Sequence, residues 1–407
     1  MQVAYDRQLF ARWLVVGLCF LALALAFSTR AALGLVMPVW SGEFDWSRSF
    51  VSGVGAMALI VMACAAPAAG RLVDRYGPRL ALVLGLIALA AGSGVMALNS
   101  SPTVLVAAYS VVTAIGFGII ATHVVSTGIA RLFDRQRGLA IGIATSGATA
   151  GQFVIVPIIA LILASFSWRW SFAALAALAS LLAPLIWHLL KPEAMEASNA
   201  AASMQQAGMG RDTMMLLRQP VFHALFWSFL LCGYTTTGII ETHLIPYAAF
   251  CGFPPLPSAT AYGLLSAVNM LGMIAAGWLT DRINRPLLLG TIYIVRGFTF
   301  LILMNVGASY ETLVLFAIMF GVVDYATVPV TASLVASHLG LERMGLAMGM
   351  ISAGHALGGA AGTFAGGYLF DASASYGQIW WSGVWLAIVA GLMVLPLGDH
   401  REPALAR

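Results

Sequence analysis

The chain has 407 residues, of which 60% are hydrophobic and 9% charged, with a mean hydropathy of +0.91. Soluble globular domains are about one quarter charged, so this composition excludes one and describes a chain that spends most of its length in lipid. The formal charge of +4 and the pI of about 9.0 need no nucleic acid to explain them once the basic residues are sorted by loop.

Apolar stretches long enough to cross a hydrocarbon core about 30 Å thick recur from end to end. Twelve are expected as helices, at 11–38, 50–70, 80–98, 103–130, 139–164, 168–190, 220–250, 258–281, 286–305, 309–337, 343–368 and 376–397. Trp13 to Phe27 could pass for a secretory signal, but no small-residue cleavage site and polar soluble domain come after it, so it is read as the first span. Trp168, Trp170, Trp380 and Trp381 fall near span ends and are expected as interfacial anchors.

Span two runs into the polar stretch "AAGRLVDRYGPR" at 68–79, and span eight into "AAGWLTDRINRP" at 275–286. Gly70, Asp74 and Arg75 match Gly277, Asp281 and Arg282 at a constant offset of 207. Each copy links the second and third span of its half, which is the pattern of an internal repeat. The expected architecture is therefore all-α and integral to the membrane, with two pseudo-symmetric six-helix bundles around a central cavity. The bundles are assigned to residues 1–190 and 220–407, joined by a hydrophilic linker at 191–219.

Loop by loop, 16 of the 20 basic residues lie on one side, only Arg48 and Arg169 on the other, and Arg30 and Arg296 inside spans. Basic loops stay in the cytoplasm, so both termini are expected there. The four cysteines, Cys19, Cys64, Cys232 and Cys251, lie in or beside spans, and no disulfide framework is expected. No G-x-x-x-x-G-K-[ST] loop, metal-ligand cluster or nucleophile constellation is present, so neither enzymatic chemistry nor direct ATP drive nor a cofactor is expected.

The pattern G-x-L-x-D-R-x-G-x-R, carried by Gly70, Leu72, Asp74, Arg75, Gly77 and Arg79, resembles the signature loop of the major facilitator superfamily. The stretches "EFDWSRSFVSG" at 43–53 and "RGLAIGIATSGATAGQFVIVPIIA" at 137–160 resemble the bacterial relatives of monocarboxylate transporters and oxalate/formate exchangers. The resemblance implies a monomeric secondary transporter of a bacterial inner membrane that moves a small organic anion, with H+ as coupling ion, by alternating access. It also implies that Gly70, Asp74, Arg75, Gly77 and Arg79, with Gly277, Asp281 and Arg282 as a weaker second copy, form a conformational latch. In that latch Asp74 meets the positive end of a neighbouring helix, and Arg75 and Arg79 meet acidic groups or lipid phosphates.

Charges at membrane depth are costly and mark the functional candidates. Arg30 is a candidate anion-binding group, because a guanidinium grips a carboxylate through two parallel hydrogen bonds; the rival reading is a salt bridge to Glu241. Arg30 plus the repeat offset lands on Thr237, one turn from Glu241, so the first spans of the two halves present opposite charges at similar depth. Glu241 and Asp324 are candidates for proton coupling, with His243 and His355 beside them; the rival reading of Asp324 is a buried ion pair with Arg296. His355 takes the place at which the oxalate/formate branch carries a substrate-binding lysine. His123 is read as structural. Monocarboxylate transporters usually carry Asp or Asn in span eight with Arg four residues later, whereas here Asn269 is followed by Met273, so either anion binding has moved to Arg30 or His355 or the substrate is not a simple carboxylate; Asn269, His243 and Tyr325 complete the substrate-binding candidates. A second reading is a proton-driven exporter of hydrophobic or cationic compounds, built on Glu241, Asp324 and the cavity tyrosines.

Overall fold

The computed structural model describes residues 2–46, 48–133, 135–190 and 208–399, and all regular structure among them is helical. Nine of these helices are long and apolar enough to cross a bilayer, or ten when the bent pair Met209–Leu217 and Pro220–Phe250 is taken as one span. The difference from twelve has two sources. The stretch Gly53–Leu98 has 46 residues and would measure about 70 Å as a straight helix, more than twice the membrane. Gly77, at φ 78° and ψ 169°, divides it into spans two and three. A side chain is disfavoured at that φ, and Pro78 then restarts the helix. Met344–Ser373, 30 residues long, is span eleven, and its many glycines lower its hydropathy without shortening it.

Two expected features come out differently. Residues 191–207 of the linker lie outside the described residues, but its end forms a helix, Met209–Leu217, that the composition does not announce. Asp212 on that helix is buried between Arg71 at 2.7 Å and Arg343 at 3.0 Å, one from each half of the chain. Spans four and ten are not continuous. Span four stops at Ile119 and resumes as Thr122–Ala130, and span ten stops at Val323 and resumes as Thr327–Leu339. The two breaks are related by nearly the repeat offset, so they belong to the architecture and not to one local sequence. Each follows a closely packed glycine, Gly118 against Met62 and Ala65, and Gly321 against Leu265 and Val268.

Of the four tryptophans expected as anchors, Trp170 and Trp381 are exposed as expected. Trp168 and Trp380 are buried in aromatic clusters, Trp168 donating its indole N–H to Glu43 at 2.7 Å. Their burial follows from facing a neighbouring helix, which span-end position alone does not specify.

The two halves meet chiefly where span two packs on span eleven and span five on span eight. These contacts are backbone to backbone. A Cβ on Gly70 would collide with the Gly345 carbonyl, and one on Gly277 with the Gly138 carbonyl. Small residues let the helix axes approach and stand in for the hydrophobic effect, which is weak between helices in lipid.

Candidate functional site

A cavity lies between the halves, with Arg30 from span one, His123 from span four, Thr236 from span seven, Asp324 and Tyr325 from span ten, and His355 from span eleven on its wall. The rest of the wall is largely apolar, with Phe27, Met62, Phe117 and Phe229 prominent. Both helix breaks open onto it. Irregular backbone is tolerated at membrane depth where it is buried in protein or lines a cavity, and both conditions hold here.

The break in span ten is fully serviced. Arg296, with no exposed surface, donates to the carbonyls of Val323, at 2.7 Å, and Asp324. Those are acceptors that a continuous helix would have used. Asn269 accepts from the Tyr325 amide and donates to Asp324 Oδ2, both at 3.1 Å. Thr236 Oγ1 donates to Asp324 Oδ1 at 2.9 Å and accepts from Arg296 at 3.1 Å. The expected buried ion pair between Arg296 and Asp324 is thus corrected. The guanidinium binds the Asp324 main chain, and the two charged groups meet through the Thr236 hydroxyl. Asn269 is likewise occupied by this network and is not among the residues on the cavity wall. Arg296→Met should destabilise the protein by about 3 kcal/mol, because it orphans two buried carbonyls and leaves Asp324 without its nearest positive charge. Unfolding in mixed micelles measures it.

Met273, where the family pattern has arginine, has no exposed surface, and its carbonyl packs on Gly142 of span five. That face of span eight closes the contact between halves and contributes nothing to the cavity wall.

Arg30 and Glu241 form no direct ion pair. The Tyr325 hydroxyl donates to Glu241 Oε1 at 2.8 Å and is also the polar neighbour of Arg30. The guanidinium carbon lies 4.7 Å above the Phe27 ring, and Tyr109 fixes the helix at this point by donating to the Arg30 carbonyl at 3.0 Å. A cation stacked on an aromatic face keeps its in-plane N–H groups for an incoming anion.

The histidines separate. His355 is on the cavity wall with its ring 4.9 Å from that of Phe229. His243 is not, and its expected place in the site is corrected: it is engaged with the Thr363 carbonyl at 3.2 Å and pressed against Gly366. Two residues from Glu241 on a helix, it points elsewhere. His123, read from sequence as structural, is on the cavity wall and 1% exposed. The only sequence signal that could have found it is its polarity at membrane depth.

At the basic end of the molecule, both signature copies act across the halves. Asp74 accepts from the amides of Gly345 and Leu346 at 2.8 Å, the first turn of span eleven. Asp281 accepts from the amides of Gly138 and Leu139 at 2.8 and 3.0 Å, the first turn of span five. A carboxylate there satisfies orphan amides and meets the positive end of the helix dipole. The second copy, expected to be the weaker, makes the same pair of bonds. Of the two partners expected for Arg75 and Arg79, acidic groups or lipid phosphates, no acidic group pairs with either among the described residues. Arg75 lies over the Tyr76 ring, and Arg79 over the Trp187 ring while donating to the Trp187 carbonyl at 2.6 Å. Arg282 does the equivalent with Trp278, donating to its carbonyl at 3.0 Å. The ion pair with Asp74 comes instead from Arg131, which also holds the Leu341 carbonyl of the opposite half.

A sequence profile of the Major Facilitator Superfamily matches residues 19–307 and 271–406. The chain belongs to this superfamily. It is a multi-pass membrane transporter, not an enzyme. Monocarboxylate transporter 13 of Rattus norvegicus is 25% identical over 367 residues, covering 89% of this chain and 83% of that protein. An uncharacterised transporter of the superfamily from Bacillus subtilis, YcxA, is 24% identical over 372 residues and covers 90% of each chain. Among solved structures, the proton:xylose symporter XylE superposes with a TM-score of 0.72 at 16% identity, covering 96% of each chain. The human organic anion transporter MFSD10 superposes with a TM-score of 0.72 at 17% identity, covering 94% of this chain and 99% of that one. At these identities the structural likeness speaks for the major facilitator fold, with its two helical bundles around the cavity.

Proposed function

We propose that the protein carries a small organic monoanion of the carboxylate type across a bacterial inner membrane, coupled to protons, by alternating access. The observation that carries this reading is Arg30, a cation on the wall of a largely apolar cavity, stacked on Phe27 and separated from Glu241 by the Tyr325 hydroxyl. A charge at this depth needs a partner, and a substrate carboxylate supplies it. The relatives named as monocarboxylate transporters support the same substrate class.

In this reading residues 1–190 and 220–407 rock as two bodies joined by the 191–219 segment, and the basic end, with both termini, faces the cytoplasm. The contacts of Asp74 and Asp281 close that end, which leaves the cavity directed outward. Asp324, held by Thr236 and Asn269 in the break of span ten, takes and releases the coupled proton. Substrate and proton together neutralise the cavity and permit the switch, while either alone leaves an uncompensated buried charge.

Ligand-induced thermal stabilisation of the purified protein, at mildly acidic and mildly alkaline pH, tests the substrate class. Small monocarboxylates should stabilise it and do so more at acid pH; stabilisation by lipophilic cations alone would sink the reading. Coupling is tested with Asp324→Asn in proteoliposomes. Accumulation driven by a pH gradient should fall at least about tenfold while exchange of internal for external substrate persists, since exchange needs no net proton movement.

A further inference from the structure

The break in span four, unlike its counterpart in span ten, is left unserviced. Ile120, Ala121, Thr122 and His123 all face the cavity. The helix that starts there, Thr122–Ala130, has nine residues, and no side chain caps its N-terminus. The amides of Val124 and Val125 turn back to the Ala121 carbonyl, so the open amides are those of Thr122 and His123, at the positive end of the helix dipole. His123 adds a second, independent observation. It is 1% exposed; the Ala66 main chain lies within reach of one ring nitrogen without making a hydrogen bond of normal geometry, and the other nitrogen has no partner. Buried polar groups are nearly always paired, and an imidazole with a nitrogen left unpartnered beside open amides is a site waiting for an oxygen. In span ten the corresponding gap is filled by the protein's own groups, Asp324 held by Asn269 and Thr236.

We infer that the broken fourth span is a second substrate subsite, with His123 and the helix amides holding an oxygen acceptor at the end of the substrate opposite its carboxylate. This rests on Arg30 holding that carboxylate. The substrate is then a monocarboxylate with an apolar body and a carbonyl or hydroxyl oxygen at its far end. An uncharged oxygen fits better than a second carboxylate. The residues of the break and those nearest it on the wall, Met62, Ala66 and Phe117, include no cation, and a carboxylate there would be a poorly compensated charge at membrane depth.

Three five-carbon acids of matched length separate the possibilities: valerate, which has no second oxygen, levulinate, which has a ketone, and glutarate, which has a second carboxylate. Affinities are measured on the purified protein by isothermal titration. Levulinate should bind at least about tenfold more tightly than valerate. His123→Phe, which fills the same volume without a polar atom, should bring that ratio close to one, and His123→Gln, which keeps a donor and an acceptor, should restore most of it. Equal binding of valerate and levulinate by the unaltered protein, both lost in Arg30→Ala, overturns the subsite and leaves the carboxylate reading standing. Retention of both ligands by Arg30→Ala overturns the carboxylate reading itself. Glutarate binding more tightly than levulinate overturns the uncharged acceptor in favour of a dianion.

Discussion

Arg30→Ala is expected to abolish carboxylate binding and transport, with affinity falling about a hundredfold or more, while the protein still purifies folded. The magnitude is that of a charge-assisted, two-pronged hydrogen bond in a site of low dielectric. Folding should survive because the guanidinium carries little of the local structure. It caps no broken helix and forms no direct ion pair with Glu241, and the tie from Tyr109 goes to the Arg30 main chain, which alanine keeps. Arg296→Met should behave in the opposite way, since that guanidinium is spent on carbonyls in the break of span ten. Titration with a monocarboxylate before and after substitution, beside a melting curve, reads both quantities. Normal binding by Arg30→Ala would remove the anion site from span one.

Gly70→Val is expected to keep the basic end from closing and to reduce transport by at least about a hundredfold. A Cβ at Gly70 would collide with the backbone carbonyl of Gly345, and the reciprocal substitution would meet the Gly70 carbonyl and Asp74. Backbone cannot rotate away as a flexible side chain can, so the helices must separate, and Asp74 then loses the amides of Gly345 and Leu346. Because the contact lies between halves, the expected result is a shift in population toward the state open at that end, with each half still folded. Spin labels on cysteines replacing Tyr76 and Ile283, exposed residues one within each signature copy, would report it in a background freed of the native cysteines. The unaltered protein should give one short distance, and Gly70→Val a dominant longer one. An unchanged distance would mean that this contact does not govern the switch.

Much of this was legible in the sequence because it depends on one-dimensional patterns. Apolar runs of about twenty residues have to cross the bilayer as helices, since backbone groups in lipid can be satisfied only internally, and that gave the all-helical, multi-span architecture. The offset of 207 between Asp74 and Asp281 exposed the repeat, and the chemistry of an acidic cap pointed Asp74 to a neighbouring helix start; that Asp281 does the same, and that both helices belong to the opposite half, came from the structure. Arg30 was identifiable as a cation with no business in lipid. Hydropathy could not show the breaks in spans four and ten, because a run of apolar residues reads the same whether its backbone is helical or turned. Nor could it rank the polar residues at depth. His243 and His123 are equally improbable by composition, yet one is tied to the Thr363 carbonyl and the other lines the cavity with no hydrogen bond of normal geometry. Arg296 and Arg30 differ only in what surrounds them, and partners come from helices far apart in the chain. The sequence by itself thus determined the membrane architecture, the repeat and the polar candidates, through periodicity and the cost of charge in lipid. Which candidates hold the fold together and which are left facing the cavity was decided only by tertiary packing, which sets the hydrogen-bond partners each has within reach.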